Sequence, residues 1–284
     1  MILAIIKITV RYSNELMLQD GAKRFWAILD RQVFHRSMRD PDSGLWKGRA
    51  AVITDFSNLF DSIDVAACRE RVTNFAKRFF TRARDRLSMD LAQEMRLGQF
   101  PYLLIPLSRE NETYYFAATD APRPGYCTIS FEDLVFLLQC GLACNYTTAL
   151  GRVYKRDNGV PTGFPACTLL ANIYLAELEW CCVEDAIARN ALPLSKFADV
   201  FRYVDDSICH EATVPYLPAY GLSYSKQTQP SKEFVFLGYS VKLSESEVRI
   251  KNQPKRFDFP QYAPFAFPNA SSVLSSATHY WGLR

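Results

Sequence analysis

Two adjacent carboxylates, Asp205 and Asp206, sit inside the run Val200-Phe201-Arg202-Tyr203-Val204-Asp205-Asp206-Ser207-Ile208-Cys209, with strand-forming residues on either side. The pattern predicts a β-hairpin with acids at its tip. Like charges held side by side between apolar strands repel one another and lose hydration, and a bound cation offsets both costs. Oxygen ligands of this kind suit a hard divalent ion such as magnesium. Asp-Asp is also an ordinary turn dipeptide, so the pair alone leaves both readings open. A third acid, Asp55, lies near the end of Ala51-Val52-Ile53-Thr54-Asp55-Phe56, which reads as a short buried strand presenting a carboxylate at its C-terminal end. Convergent carboxylates that hold two divalent cations are what phosphoryl transfer needs, one ion activating a hydroxyl and the other neutralising a polyphosphate.

Those acids have to be positioned by a packed protein. The 284 residues are 49% hydrophobic, 14% aromatic and 22% charged, which excludes a disordered, collagenous or repeat chain. The net charge of +3 permits a basic groove without diagnosing one. Met1–Val10 reads as a buried strand: it is too short for a membrane-spanning helix, is interrupted by Lys7, and has no signal-peptide cleavage site. The eight cysteines are scattered, with no paired CxxC set, as in an intracellular protein with free thiols. Residues 19–39 and 64–96 read as basic, amphipathic helices, and 103–118 as a hairpin with a polar tip at 108–112. Residues 131–150 read as a helix, and 151–163 as a basic, glycine-punctuated loop that opens an apolar helix over 165–186. A second hairpin region covers 234–241 and 247–250, and the chain beyond Pro254 is aromatic and proline-rich without a helical period.

Three ordered segments resemble the signatures of the reverse transcriptases. They are Asp55-Phe56-Ser57-Asn58-Leu59-Phe60-Asp61, the run from Gly159 through Pro161-Thr162-Gly163 to Leu170-Ala171-Asn172-Ile173-Tyr174-Leu175, and Tyr203-Val204-Asp205-Asp206. Gly221–Thr228 and Phe236-Leu237-Gly238-Tyr239 resemble the next two blocks of that family. The group II intron, retron and abortive-infection enzymes are the nearest in pattern, with some telomerase-like features. Where the family usually has Gln and Pro, this chain has Thr162 and Thr168.

The resemblance implies an α+β fold: a right-hand polymerase palm, an antiparallel sheet backed by helices, with reduced fingers and little or no thumb. It divides the chain into partial fingers over 1–50, a palm over 51–242 with an insertion near 96–125, and an irregular extension over 243–284. It implies an RNA-directed DNA polymerase that extends a primer with deoxynucleotides. The alternatives are an RNA-dependent RNA polymerase and a catalytically unused structural or assembly subunit. Asp55, Asp205 and Asp206 are the implied catalytic residues and, with Phe56, the ligands of two magnesium ions, for which manganese can substitute. Phe56, Ser57, Asn58, Leu59, Phe60, Gly163 and Lys226 are the implied nucleotide contacts, with Phe60 excluding a ribose 2′-hydroxyl; its other reading is a core aromatic. Arg152, Lys155, Arg156, Tyr203, Leu237 and Gly238 are the implied nucleic-acid contacts. The implied partners are an RNA template, a nucleic-acid primer, deoxynucleotides, and an RNA or protein supplying the thumb; no membrane is implied.

Overall fold

The computed structural model describes residues 2–28, 30–39, 46–91, 99–108, 114–143, 146–155, 158–160, 167–190 and 197–253. Residues up to Lys251 cluster into one compact unit, and Asn252–Arg284 are a second. The chain opens with helix α1 (Ile2–Asp20), not the strand expected over Met1–Val10. A short apolar run fits either element. Here it continues into Asn14–Gln19, and the helix stops at Gly21, whose φ of 72° is the left-handed conformation favoured just past helix ends.

The helix expected over 19–39 is divided, because α2 takes only Arg31–Arg39. Between the helices, Phe25, Trp26, Ala27 and Ile28 are all buried. The backbone groups of Trp26 and Ile28 bond to Arg202 rather than along a helical ladder, so the strip is non-helical and runs between layers that bury all four side chains.

Strand β1 (Ala51–Phe56) is followed by the short helix α3 (Leu59–Ser62) and by α4 (Val65–Leu91). The Asp64 carboxylate accepts the Ala67 N–H at 2.7 Å and caps α4. Cys68, Val72, Phe75, Phe79 and Ala83 recur at helical spacing on its buried face. The expected hairpin over 103–118 is present as β2 (Tyr102–Pro106) and β3 (Tyr115–Ala117). Strand β4 (Tyr126–Ile129) completes a sheet of order β3-β2-β4. Phe116 of β3 packs on Phe79 and Phe80 of α4, each at 5.2 Å between ring centroids. Most of the expected polar tip, residues 109–112, lies outside the described residues.

Helix α5 (Phe131–Ala143) is shorter than expected. The remainder, with part of the expected basic loop, pairs as β5 (Tyr146–Ala149) and β6 (Arg152–Lys155). Leu150 and Gly151, at φ 51° and 72°, close this ribbon with the two positive φ values of a type I′ turn. Helix α6 (Cys167–Ala188) is buried along most of its length and packs against α4.

The last strands are β7 (Phe201–Tyr203), β8 (Asp206–His210), β9 (Tyr224–Gln227), β10 (Glu233–Phe236), β11 (Tyr239–Leu243) and β12 (Val248–Asn252). They form a four-stranded sheet of order β7-β8-β1-β9 and a three-stranded sheet of order β10-β11-β12. Residues 248–252 are therefore sheet rather than irregular extension. The edge of β7 is covered by the buried strip: Ile28 N–H donates to Arg202 O at 2.8 Å, and Arg202 N–H donates to Trp26 O at 2.9 Å. The main core lies between α4, α5, α6 and the β2–β4 sheet. A second core joins α2, β1 and β8 to β10–β12.

Candidate active site

The central antiparallel pair of the sheet brings the three acids to one place. Asp55 on β1 lies opposite Asp206 on β8, and Asp205 stands in the turn next to it. On its other side Asp55 lies opposite Lys226 of β9, where a β-bulge separates Asp55 from Phe56. Ser225 Oγ donates to Asp55 Oδ2 at 2.5 Å and orients that carboxylate. One step back from the tip, the Thr54 and Ser207 hydroxyls are hydrogen-bonded across the same two strands. The Phe56 N–H donates to the Asp205 carbonyl at 3.2 Å and ties the acidic turn to β1.

The acids feel one another. Burial, followed by the negative charges of Asp205 and Asp55, pushes the Asp206 carboxyl up to about 6, while Lys226 pulls it down. Asp205 is also raised, chiefly by burial, with the Asp55 charge adding to it and backbone N–H groups opposing. Such a site favours a proton or a cation over three free charges.

The turn that carries Asp205 is itself unusual. Tyr203 pairs with Asp206, so Val204 and Asp205 are the two loop residues. Val204 has φ 58° whereas Asp205 is not in the positive-φ region, the φ pattern of a type II′ turn, whose first loop position ordinarily takes glycine. A β-branched residue there is strained, by about 1–3 kcal/mol, and persists where its surroundings fix it. Part of that surrounding is Arg202, which is wholly buried and whose Nη1 donates to the Val204 carbonyl at 3.2 Å.

The other expected contacts fall into groups. Phe56 is buried, its ring stacked on Tyr224 at 5.1 Å and set edge-on to Tyr220 at 5.0 Å, so only its backbone can face a ligand. Ser57 N–H donates to the Ser223 carbonyl at 2.8 Å, Asn58 is left-handed at φ 47°, and Leu59 is core. Phe60 is half-buried against the main core, and its carbonyl accepts the Val160 N–H at 2.7 Å. Lys226 is exposed beside the acids. Tyr203 is half-buried at the tip of β7. Leu237 and Gly238, at φ 51° and 78°, close the β10–β11 hairpin in the separate three-stranded sheet, beside Arg31 of α2. Arg152 and Lys155 are exposed on β6, in the two-stranded ribbon rather than the acid-bearing sheet. Gly163 and Arg156 lie outside the described residues.

Asn172, Glu179, Arg202, Tyr220 and Ser225 are functional candidates that the sequence does not single out. The available signal was a charged residue inside each of two apolar runs, Arg202 between Phe201 and Tyr203 and Glu179 in the middle of α6. The acids fit a hard divalent cation by donor type, and their mutual repulsion is what such an ion relieves. The three carboxylates share one end of the sheet without closing into a cation cage: among the described residues no three Asp, Glu, His or Cys groups are close enough to hold a metal ion. No helix of the described residues is long and apolar enough to cross a membrane.

A mixed helical and antiparallel-sheet fold of this kind is found in telomerase, a reverse transcriptase. Apo telomerase from Candida tropicalis has a TM-score of 0.54 with this chain at 12% identity, over 98% of this chain and 44% of that one. The same species' telomerase in complex with a TWJ fragment of telomeric RNA gives 0.53 at 14% identity, over 97% and 40%. Its apo form truncated from the C-terminal domain gives 0.50 at 13% identity, over 87% and 45%. The chain thus spans less than half the length of these structures, and at such identities the likeness is one of fold. No protein-family model and no curated protein matches the chain.

Proposed function

We propose that this chain is the catalytic core of a reverse transcriptase, an RNA-directed DNA polymerase that extends a primer with deoxynucleotides. The observation that carries the reading is the β1–β8 register, which sets Asp55 opposite Asp206 and next to Asp205 in a fold like that of telomerase. Residues 51–242 then act as the palm, with partial fingers before it.

Asp55, Asp205 and Asp206, with the Phe56 carbonyl, are the groups that would hold two magnesium ions. Bound there, such ions activate the primer hydroxyl and neutralise the triphosphate. The protein's own contribution is positional. Ser225 fixes the Asp55 carboxylate, the Phe56 N–H holds the turn under Asp205, and Lys226 adds a positive charge on the open side of Asp55. The turn from Phe56 to Phe60, with Gly163, lines the nucleotide pocket, and Phe60 stands where a 2′-hydroxyl would be excluded. Arg152, Lys155 and Arg156 contact template or primer phosphates, while Tyr203, Leu237 and Gly238 contact the primer end. The RNA bound by the Candida tropicalis telomerase supports a nucleic-acid partner here.

Primer extension on an RNA template tests this reading, with deoxy- and ribonucleotides compared and magnesium or manganese supplied. The expected result is deoxynucleotide addition that Asp205→Asn abolishes and that Phe60→Val opens to ribonucleotides. Ribonucleotide preference in the unaltered protein would identify an RNA polymerase. No addition with either ion would identify a non-catalytic subunit.

A further inference from the structure

Behind the acidic turn lies a group of polar side chains with no place in the chemistry described above. Arg202 and Glu179 are both wholly buried and ion-paired, Arg202 Nε bonding Glu179 Oε1 and Nη2 bonding Oε2 at 3.3 Å. Arg202 Nη1 also donates to Asn172 Oδ1 at 2.6 Å, and Nη2 to the Asn172 carbonyl at 3.2 Å. The Tyr220 hydroxyl, buried too, donates to Glu179 Oε1 at 3.2 Å. Asn172 and Glu179 are two turns apart on α6 and so share a face.

An ion pair of this kind is a poor means of stabilising a fold, since well-packed apolar residues of the same volume do as well or better. What apolar residues cannot provide is a donor for the Val204 carbonyl, and Arg202 provides it from within the protein at 3.2 Å. That carbonyl belongs to the residue at φ 58° immediately before Asp205. The same group reaches the other half of the site through Tyr220, whose ring lies edge-on to Phe56, the residue after Asp55. Among the described residues, no hydrogen bond joins these four to the side chains of Asp55, Asp205 or Asp206, so their influence passes through the backbone and through Phe56.

We propose that Asn172, Glu179, Arg202 and Tyr220 form a buried positioning hub that fixes the backbone of the acidic turn and of the end of β1, on which divalent-cation binding by Asp55, Asp205 and Asp206 depends. The hub rests on the reading of Asp55, Asp205 and Asp206 as cation ligands, and its test is arranged so that the two can fail separately. Outer-sphere groups bonded to a ligand tune metal affinity without touching the ion, and the hub acts one step further out, on the backbone that carries the ligands.

The test is a manganese titration of the full chain, with free ion followed by electron paramagnetic resonance and each variant's melting temperature recorded. Tyr220→Phe removes one hydroxyl, and Arg202→Lys keeps the charge but loses the planar fork. Arg78→Lys is the matched control, because Arg78 makes a similar ion pair with Glu177 of α6, in which the carboxylate is buried and the guanidinium partly so. Expected is a weakening of manganese affinity by about 10-fold or more in Tyr220→Phe and Arg202→Lys. Arg78→Lys should bind as the unaltered protein does, whatever its melting temperature. If Asp205→Asn loses manganese while both hub variants bind normally, the hub is only structural and the proposal falls, though the site reading stands. If Asp205→Asn binds as tightly as the unaltered protein, or the unaltered protein binds no manganese, the site reading itself fails and takes the hub with it. Should Arg202→Lys not fold, Tyr220→Phe decides alone.

Discussion

Three hairpins among the described residues are closed by two residues each, and two of them solve the turn in opposite ways. The β5–β6 ribbon has glycine, Gly151, at one of its two positive-φ positions and Leu150, unbranched at Cβ, at the other, and it stands open, with Leu150 98% exposed and all of β6 exposed. The β7–β8 hairpin places a β-branched residue, Val204, at φ 58°, and holds it from both sides through the Val204 and Asp205 carbonyls. The less strained turn lies where little supports it, and the β-branched one where Arg202 and Phe56 fix it. Strain is tolerated where the surroundings over-determine a conformation, and here that place also carries the acids. The β10–β11 hairpin lies between the two, with the same Leu-Gly turn chemistry as the ribbon but packed against α2, where His35 lies 5.0 Å from the Tyr239 ring.

The largest effect should come from breaking the acidic turn's chemistry while sparing its shape. Asp55→Asn or Asp205→Asn is expected to slow single-turnover nucleotide addition on the order of 10³-fold, about 4 kcal/mol of barrier. The melting temperature should hardly fall, because asparagine keeps a side-chain oxygen able to accept the Ser225 hydroxyl that the Asp55 carboxylate accepts. A large loss of stability with activity retained would mean that these acids are turn residues after all.

Asp206 gives the next largest effect, in the opposite direction for stability. Its carboxyl is at about 6 in the folded chain against an ordinary 3.8, raised first by burial and then by Asp205 and Asp55. Between those values the folded state binds more protons than the unfolded one, so this group's contribution to stability declines as pH rises through that window and stays low above it. Asp206→Asn should therefore raise the melting temperature of chelator-treated protein by several degrees at pH 8, and the gain should vanish below pH 3.8. A gain that does not change with pH would refute the electrostatic account.

What the sequence revealed of this contrast was the local half. Residue types within a few positions announce the acidic hairpin and the hairpin region over 234–250, since the groups that interact there are neighbours in the chain. The register of Asp55 against Asp206 was not legible, because it depends on pairing between segments some 150 residues apart. The hub was hidden for the same reason: Arg202 and Glu179 are each visible as a charge in an apolar run, but only folding reveals them as partners. The apolar start was assigned to a strand because a ten-residue hydrophobic run carries no period that excludes a helix. The β5–β6 ribbon was divided between a helix and a loop, as Tyr146–Ala149 looked like the end of an apolar helical stretch.

The smallest effects separate the two Leu-Gly turns. A Cβ at Gly238 would meet only Arg31 Nη1, at 3.8 Å, and one at Gly151 would meet nothing within 4 Å, so Ala at either position is disfavoured by φ rather than by collision. The conformational cost is similar in both, about 1–2 kcal/mol for an L-residue in the left-handed region. Its consequence depends on what the hairpin is attached to. β10–β11 belongs to the second core, through Phe236, Tyr239 and Val241, so Gly238→Ala should lower the global melting temperature by roughly 2–4 °C for each kcal/mol. The β6 strand has every residue exposed, so the ribbon can open without the rest of the fold. Gly151→Ala should leave the melting temperature unchanged and appear only as faster amide exchange at Tyr146–Ala149 and Arg152–Lys155. Equal shifts in melting temperature for the two variants would show that the ribbon is coupled to the core, and that its exposure is no measure of its independence.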